Sequence, residues 1–73
     1  MKAYKNRQGH IVAVFKDDLG FYNIYVRKEE NGYFKRASQN YFPKATRAEA
    51  ESDMETYTYN SYNGPWEKIN FRG

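Results

Sequence analysis

The apolar positions of this chain follow two periods. Up to about residue 38 they tend to recur every second residue, and after Thr46 they fall three or four apart. The clearest alternation is in residues 21–28, Phe-Tyr-Asn-Ile-Tyr-Val-Arg-Lys, rich in aromatic and β-branched side chains with a turn signal on each side. That pattern predicts a central antiparallel strand with one face in a core. Residues 10–16 predict the strand before it, although the apolar run 11–15 conceals any alternation. Asp17-Asp18-Leu19-Gly20 reads as the joining loop, with Gly20 able to take a positive φ. Asn31-Gly32, after Glu29-Glu30, is a strong hairpin signal and predicts a third strand over residues 33–38. Residues 1–5 read as a short edge strand, able to fold back through the turn-like Asn6-Arg7-Gln8-Gly9.

The spacing also predicts the faces. With Lys16 opposite Phe21, Phe15 faces Tyr22, Ala13 faces Ile24 and Ile11 faces Val26, all on one side of the sheet. Ala37 and Tyr33 join that side whether the second hairpin loop is long or short, because the two choices differ by a whole side-chain period. Beyond the sheet, Pro43 holds Phe42 extended, and Thr46 with Glu49 forms a capping box. A helix then runs from about Arg47 to Tyr59 or Asn60, with Ala50, Met54 and Tyr57 as its apolar stripe. Asn63-Gly64-Pro65 stops it, and residues 66–71 read as a last short strand or an ordered tail. The predicted fold is α+β in a single domain over residues 1–73. Its antiparallel meander of three strands, with a fourth left open, spans about 10–38. One helix (about 47–60) packs on one face, and 62–73 form the tail.

Composition sharpens this. A chain of 73 residues is near the lower limit for a single unstapled core, and the absence of Cys excludes disulfides, thiolate metal sites and thiol nucleophiles. Eight Tyr and five Phe allow a core built from few, large side chains. No apolar run suits a membrane span and the first residues do not resemble a signal peptide, so a cytoplasmic protein is expected. Residues 1–47 hold ten Lys/Arg against four Asp/Glu, whereas residues 48–73 hold two against five. Such asymmetry hints at an anionic partner for the first part.

Candidate chemistry is sparse. His10 has no second His and no suitably spaced carboxylate. Asp17-Asp18 and Glu29-Glu30 sit on hairpin tips at opposite ends of the sheet, too far apart for an acid–base pair. There is no Gly-rich phosphate loop. No catalysis, metal or cofactor is expected. The sheet side left over is more informative: it is predicted to carry His10, Val12, Val14, Lys16, Phe21, Asn23, Tyr25, Arg27, Phe34, Arg36 and Ser38. Lys16, Arg27 and Arg36 suit phosphates, Tyr25 and Phe34 suit stacking, and Asn23 and Ser38 suit polar contacts to nucleic acid. The competing expectation is that Trp66, Ile69 and Phe71 fold over Val12, Val14 and Phe21 as a second, minor core.

Three strands, then Phe42-Pro43-Lys44-Ala45-Thr46-Arg47-Ala48-Glu49-Ala50 after a Gly9-led first strand, resemble the AP2-like arm-DNA-binding domain of phage and transposon integrases. The resemblance covers about residues 9–60. It implies that the free sheet face enters the major groove, with Lys16, Asn23, Tyr25, Arg27, Lys35 and Arg36 carrying the contacts. Nucleic-acid binding is the first functional expectation. The second is a small phage or mobile-element inhibitor of anti-CRISPR type that docks on a host protein. Its surface would be the acidic helix face of Glu49, Glu51, Ser52, Glu55, Thr56 and Tyr59. Oligomeric state is left open.

Overall fold

The computed structural model describes residues 1–37 and 40–72. Five strands, β1 (Lys2–Asn6), β2 (Ile11–Lys16), β3 (Tyr22–Arg27), β4 (Lys35–Arg36) and β5 (Trp66–Asn70), form one antiparallel sheet in the order β4-β3-β2-β1-β5. The single helix α1 (Arg47–Asn60) lies over β2 and β3. The expected meander is present as β2, β3 and β4. Residues 1–5 and 66–71 add the two further strands, paired with each other at the far edge of the sheet.

The register between β2 and β3 corrects the expected one by a single residue. Lys16 pairs with Tyr22, Phe15 with Asn23, Val14 with Ile24 and Val12 with Val26. The cause is the loop. Gly20 takes φ +88° and its N–H donates to Asp17 O at 3.1 Å, while Asp17 N–H donates to Phe21 O at 2.7 Å. Asp17 thus pairs with Phe21 and only Asp18, Leu19 and Gly20 remain in the turn, a type I turn closed by a left-handed glycine. Because side chains alternate, the slip turns β2 over relative to β3. Val12 and Val14 therefore face the helix, while Ile11, Ala13 and Phe15 point to the other side.

The consequence is a sheet with apolar residues buried on both faces. Under α1, Val12, Val14, Ile24 and Val26 pack with Ala50 and Met54, flanked by Tyr22, Ala37, Tyr57 and Trp66. On the helix-free face Ala3, Ile11 and Ala13 are buried beneath Phe15, Phe34, Ile69 and Phe71. The continuous apolar run of β2 is what a strand covered on both sides requires.

The second hairpin takes the longer loop. Tyr25 pairs with Arg36 and Val26 with Lys35, and neither Asn31 nor Gly32 has a positive φ, so Asn-Gly does not form the tight mirror-image turn. The expected strand over 33–38 shortens to β4, and Ser38 lies outside the described residues. Beyond β4 the outer edge of β3 is satisfied by the crossover: Ala37 N–H donates to Ile24 O at 2.9 Å, and Tyr22 and Lys44 exchange backbone bonds of 2.8 and 2.9 Å.

The helix begins as the sequence predicts. Thr46 is the N-cap, its Oγ1 accepting Glu49 N–H at 3.3 Å while its hydroxyl donates to the Glu49 carboxylate at 2.8 Å. Arg47 fastens this end to the sheet, donating from Nη1 to Val14 O at 3.0 Å with its guanidinium 5.2 Å from the Tyr22 ring. Lys44 reaches Asp53 at 2.9 Å, and Lys2 pairs with Glu55.

Candidate functional site

The helix-free face is roofed by its own side chains. Ala3 and Ala13 pair across β1 and β2, and their small size leaves a hollow that rings fill. Phe15 meets Phe34 at 4.9 Å and Tyr25 at 5.7 Å, and Phe34 meets Phe71 at 5.5 Å, all edge to face. The Arg27 guanidinium sits 5.5 Å from both the Phe34 and Phe71 rings, and its Nε is buried without a hydrogen-bond partner. The expected fold-over of the tail is corrected in detail. Ile69 and Phe71 reach this face through β5, but they cover Ala3, Ile11 and Ala13, while Trp66 packs on the helix side.

The sequence-predicted residues therefore divide. Tyr25, Arg27 and Phe34 stand together on the helix-free face, with Arg36 opposite Tyr25 at its exposed edge. Arg36 Nη2 donates to Tyr41 O at 3.3 Å. Asn23 shares the face but is buried, its amide donating to Asp17 Oδ2 at 2.9 Å as a strut of the turn. Lys16 and Lys35 are on the other side, Lys16 beside the Tyr22 ring at 5.9 Å and Lys35 opposite Val26. The one-residue slip accounts for Lys16, and strand parity for Lys35.

On the helix side, where the β3–β4 hairpin extends past the cover of α1, lies a groove of about 660 Å³. Val26, Ala37, Tyr57 and Trp66 line its apolar part. Lys28 and Lys35 line it with cations, alongside His10 and the edge residue Arg36, against one carboxylate, Glu29, among the described residues. Tyr33, expected in the core, is instead 89% exposed on the groove's rim, because no helix covers that end of the hairpin. The Tyr57 hydroxyl is pushed above its ordinary pKa, chiefly by burial, with smaller contributions from Tyr41 and Tyr62.

Sequence reasoning missed His10, Lys28, Tyr33, Tyr57 and Trp66 as one constellation. A signal was present: Lys28 and Tyr33 continue the parity of Val26 and Lys35 along the hairpin.

The charges are distributed unevenly. Among the described residues the ion pairs are Lys2–Glu55 and Lys44–Asp53, so two helix carboxylates serve internal cations. Glu55 is held below the ordinary carboxylate range by the Lys2 hydrogen bond, and the same bond raises Lys2. Glu49 is engaged in the N-cap. Of the acidic-face residues Glu49, Ser52, Glu55, Thr56 and Tyr59 are exposed, whereas Glu51 is half-buried. On the β3–β4 hairpin, Arg27, Lys28, Lys35 and Arg36 have no carboxylate partner among the described residues.

Among the described residues no group of three or more His, Cys, Asp or Glu could hold a metal ion, and no helix is long and apolar enough to cross a membrane. Comparison with protein-family models, curated proteins and solved structures found no match.

Proposed function

We propose that this chain is a non-catalytic module that binds nucleic acid through the β3–β4 hairpin. The observation that supports this is the set of four cations, Arg27, Lys28, Lys35 and Arg36, on one edge hairpin without ion-pair partners among the described residues. Tyr33, 89% exposed, stands among them. Uncompensated cations at a sheet edge favour a polyanion by counterion release, and an exposed ring among them offers stacking surface. The test is a binding titration over a range of salt with the Lys28→Ala, Lys35→Ala, Arg36→Ala triple variant. All three side chains are exposed, so the fold is retained. Affinity is expected to fall steeply with salt, and the variant to lose about one unit of log–log salt slope per cation. Binding that ignores these substitutions defeats the reading.

A second reading, a small phage or mobile-element inhibitor docking on a host protein, draws on Tyr59 and Tyr62, which are 89% and 96% exposed at the C-terminal end of α1. Tyrosines so exposed suit protein interfaces. Here Tyr59→Ala would abolish capture of the partner and the hairpin triple variant would not.

A further inference from the structure

Resting on the nucleic-acid reading above, we infer that the groove between the β3–β4 hairpin and Trp66 seats an unpaired nucleotide, so that the module prefers single strands to duplex. The first argument is shape. The groove's volume of about 660 Å³ falls in the range of about 300–1,000 Å³ typical of sites that enclose a small ligand. A duplex keeps its bases stacked inside and offers a convex phosphate ridge, which cannot bring a base onto a concave floor. A single strand can splay one base into it.

The second argument concerns which aromatic surfaces are available. On the helix-free face Phe34 and Phe71 already hold the Arg27 guanidinium, and Phe15, Phe34 and Phe71 pack edge to face with one another. Those rings are engaged within the protein. In the groove, by contrast, Tyr33 stands on the rim with almost its whole side chain in solvent. Tyr57 and Trp66, half-buried against the core, 6.4 Å apart and tilted to each other, form the aromatic wall behind it.

The third argument is charge placement. Lys28 follows β3 and Lys35 lies on β4, so cationic groups from both sides of the hairpin flank the aromatic wall. Phosphates on either side of an inserted base would meet them, while Glu29 is the only carboxylate among the described lining residues. The geometry points to a base held at Tyr33 and the Tyr57–Trp66 wall, with its flanking phosphates on Lys28 and Lys35.

Trp66 is the only tryptophan in the chain, so its fluorescence reports on this groove directly. The titrants are oligothymidylate, oligouridylate, a mixed-sequence duplex and thymidine monophosphate, at about 0.15 M salt. Both single strands are expected to alter Trp66 emission and to bind at least about tenfold more tightly than the duplex. Tyr33→Ala, at a solvated position that leaves the circular dichroism spectrum unchanged, is expected to weaken single-strand binding about tenfold. Duplex binding as tight as single-strand binding overturns the inference and leaves the nucleic-acid reading standing. Single-strand binding unaffected by Tyr33→Ala and Lys28→Ala overturns the groove as its site. Equal binding of the monophosphate overturns the assignment to a strand, and binding of none of the titrants defeats both readings.

Discussion

Asn6 and Asp17 occupy the same place in two successive hairpins: Oδ1 of each accepts the backbone N–H of the fourth residue on, His10 and Phe21, both at 2.9 Å. Each turn then closes on a left-handed glycine, Gly9 at φ +86° and Gly20 at φ +88°. The two differ in what the rest of the side chain does. Asn6 is buried and its amide donates to Asn63 O at 3.2 Å, tying the loop before β5 to the first turn. Asp17 uses its second oxygen on the Asn23 amide.

That difference makes Asn6 irreplaceable by its acidic isostere. Asn6→Asp keeps the turn acceptor but removes the donor to Asn63 and buries a charge beside a carbonyl. A loss of roughly 1–3 kcal/mol is expected in urea unfolding, comparable to that of Asn6→Ala.

At Asp17 the carboxylate matters through pH. Its pKa is lowered chiefly by the Phe21 N–H bond, with the Asn23 amide and the Leu19 N–H assisting. A depressed native pKa gives stability that is fully present above the unfolded value of about 3.9 and lost as pH falls through the native value. Asp17→Asn should therefore flatten the acid limb of a plot of melting temperature against pH. An acid limb identical to the wild type would show that the turn bonds do not favour the charged form.

The glycines of the two turns separate backbone cost from crowding. A Cβ at Gly9 meets nothing within 4 Å, and one at Gly20 meets only Lys16 Cε at 3.8 Å. Gly9→Ala and Gly20→Ala should each destabilise by about 1–2 kcal/mol from left-handed strain alone, and Asn at either site by less. Chemical denaturation of the four variants checks this.

Met54 is fully buried between α1 and the sheet, in one cluster with Val12, Val14, Ile24 and Val26. Met54→Ala is expected to cost about 2–5 kcal/mol, a large part of the stability of a domain this small. Thermal unfolding should show it plainly, with Ala50→Leu also destabilising because the helix approaches the sheet at that alanine.

Much of this fold was legible in the sequence, and the points that were not share a physical origin. Thr46, Glu49 and the stripe of Ala50, Met54 and Tyr57 define the helix locally, through bonds within a few residues, so its start and its buried side were readable. The β2–β3 register depends on whether Lys16 or Asp17 pairs with Phe21, a choice of one residue. It carried no hydrophobic penalty in β2, since Ile11, Val12, Ala13 and Val14 are all buried. A strand apolar on both sides cannot report its own orientation. The groove was hidden for another reason: Trp66 enters it through the pairing of β5 with β1, a contact between distant parts of the chain that no local pattern encodes.

The pairing of Lys2 with Asn70 and Asn6 with Trp66 also has a kinetic meaning. The β1–β2 and β2–β3 hairpins close over short loops and can form from neighbours, whereas β5 must find β1 across almost the whole chain, at the entropic cost of a long loop. Docking of β5 is then the late step of folding, and substitutions at Ile69 should hasten unfolding while leaving the refolding rate nearly untouched. The part of the roof over Ala3 and Ala13 that Ile69 and Phe71 supply is then expected to assemble last and open first.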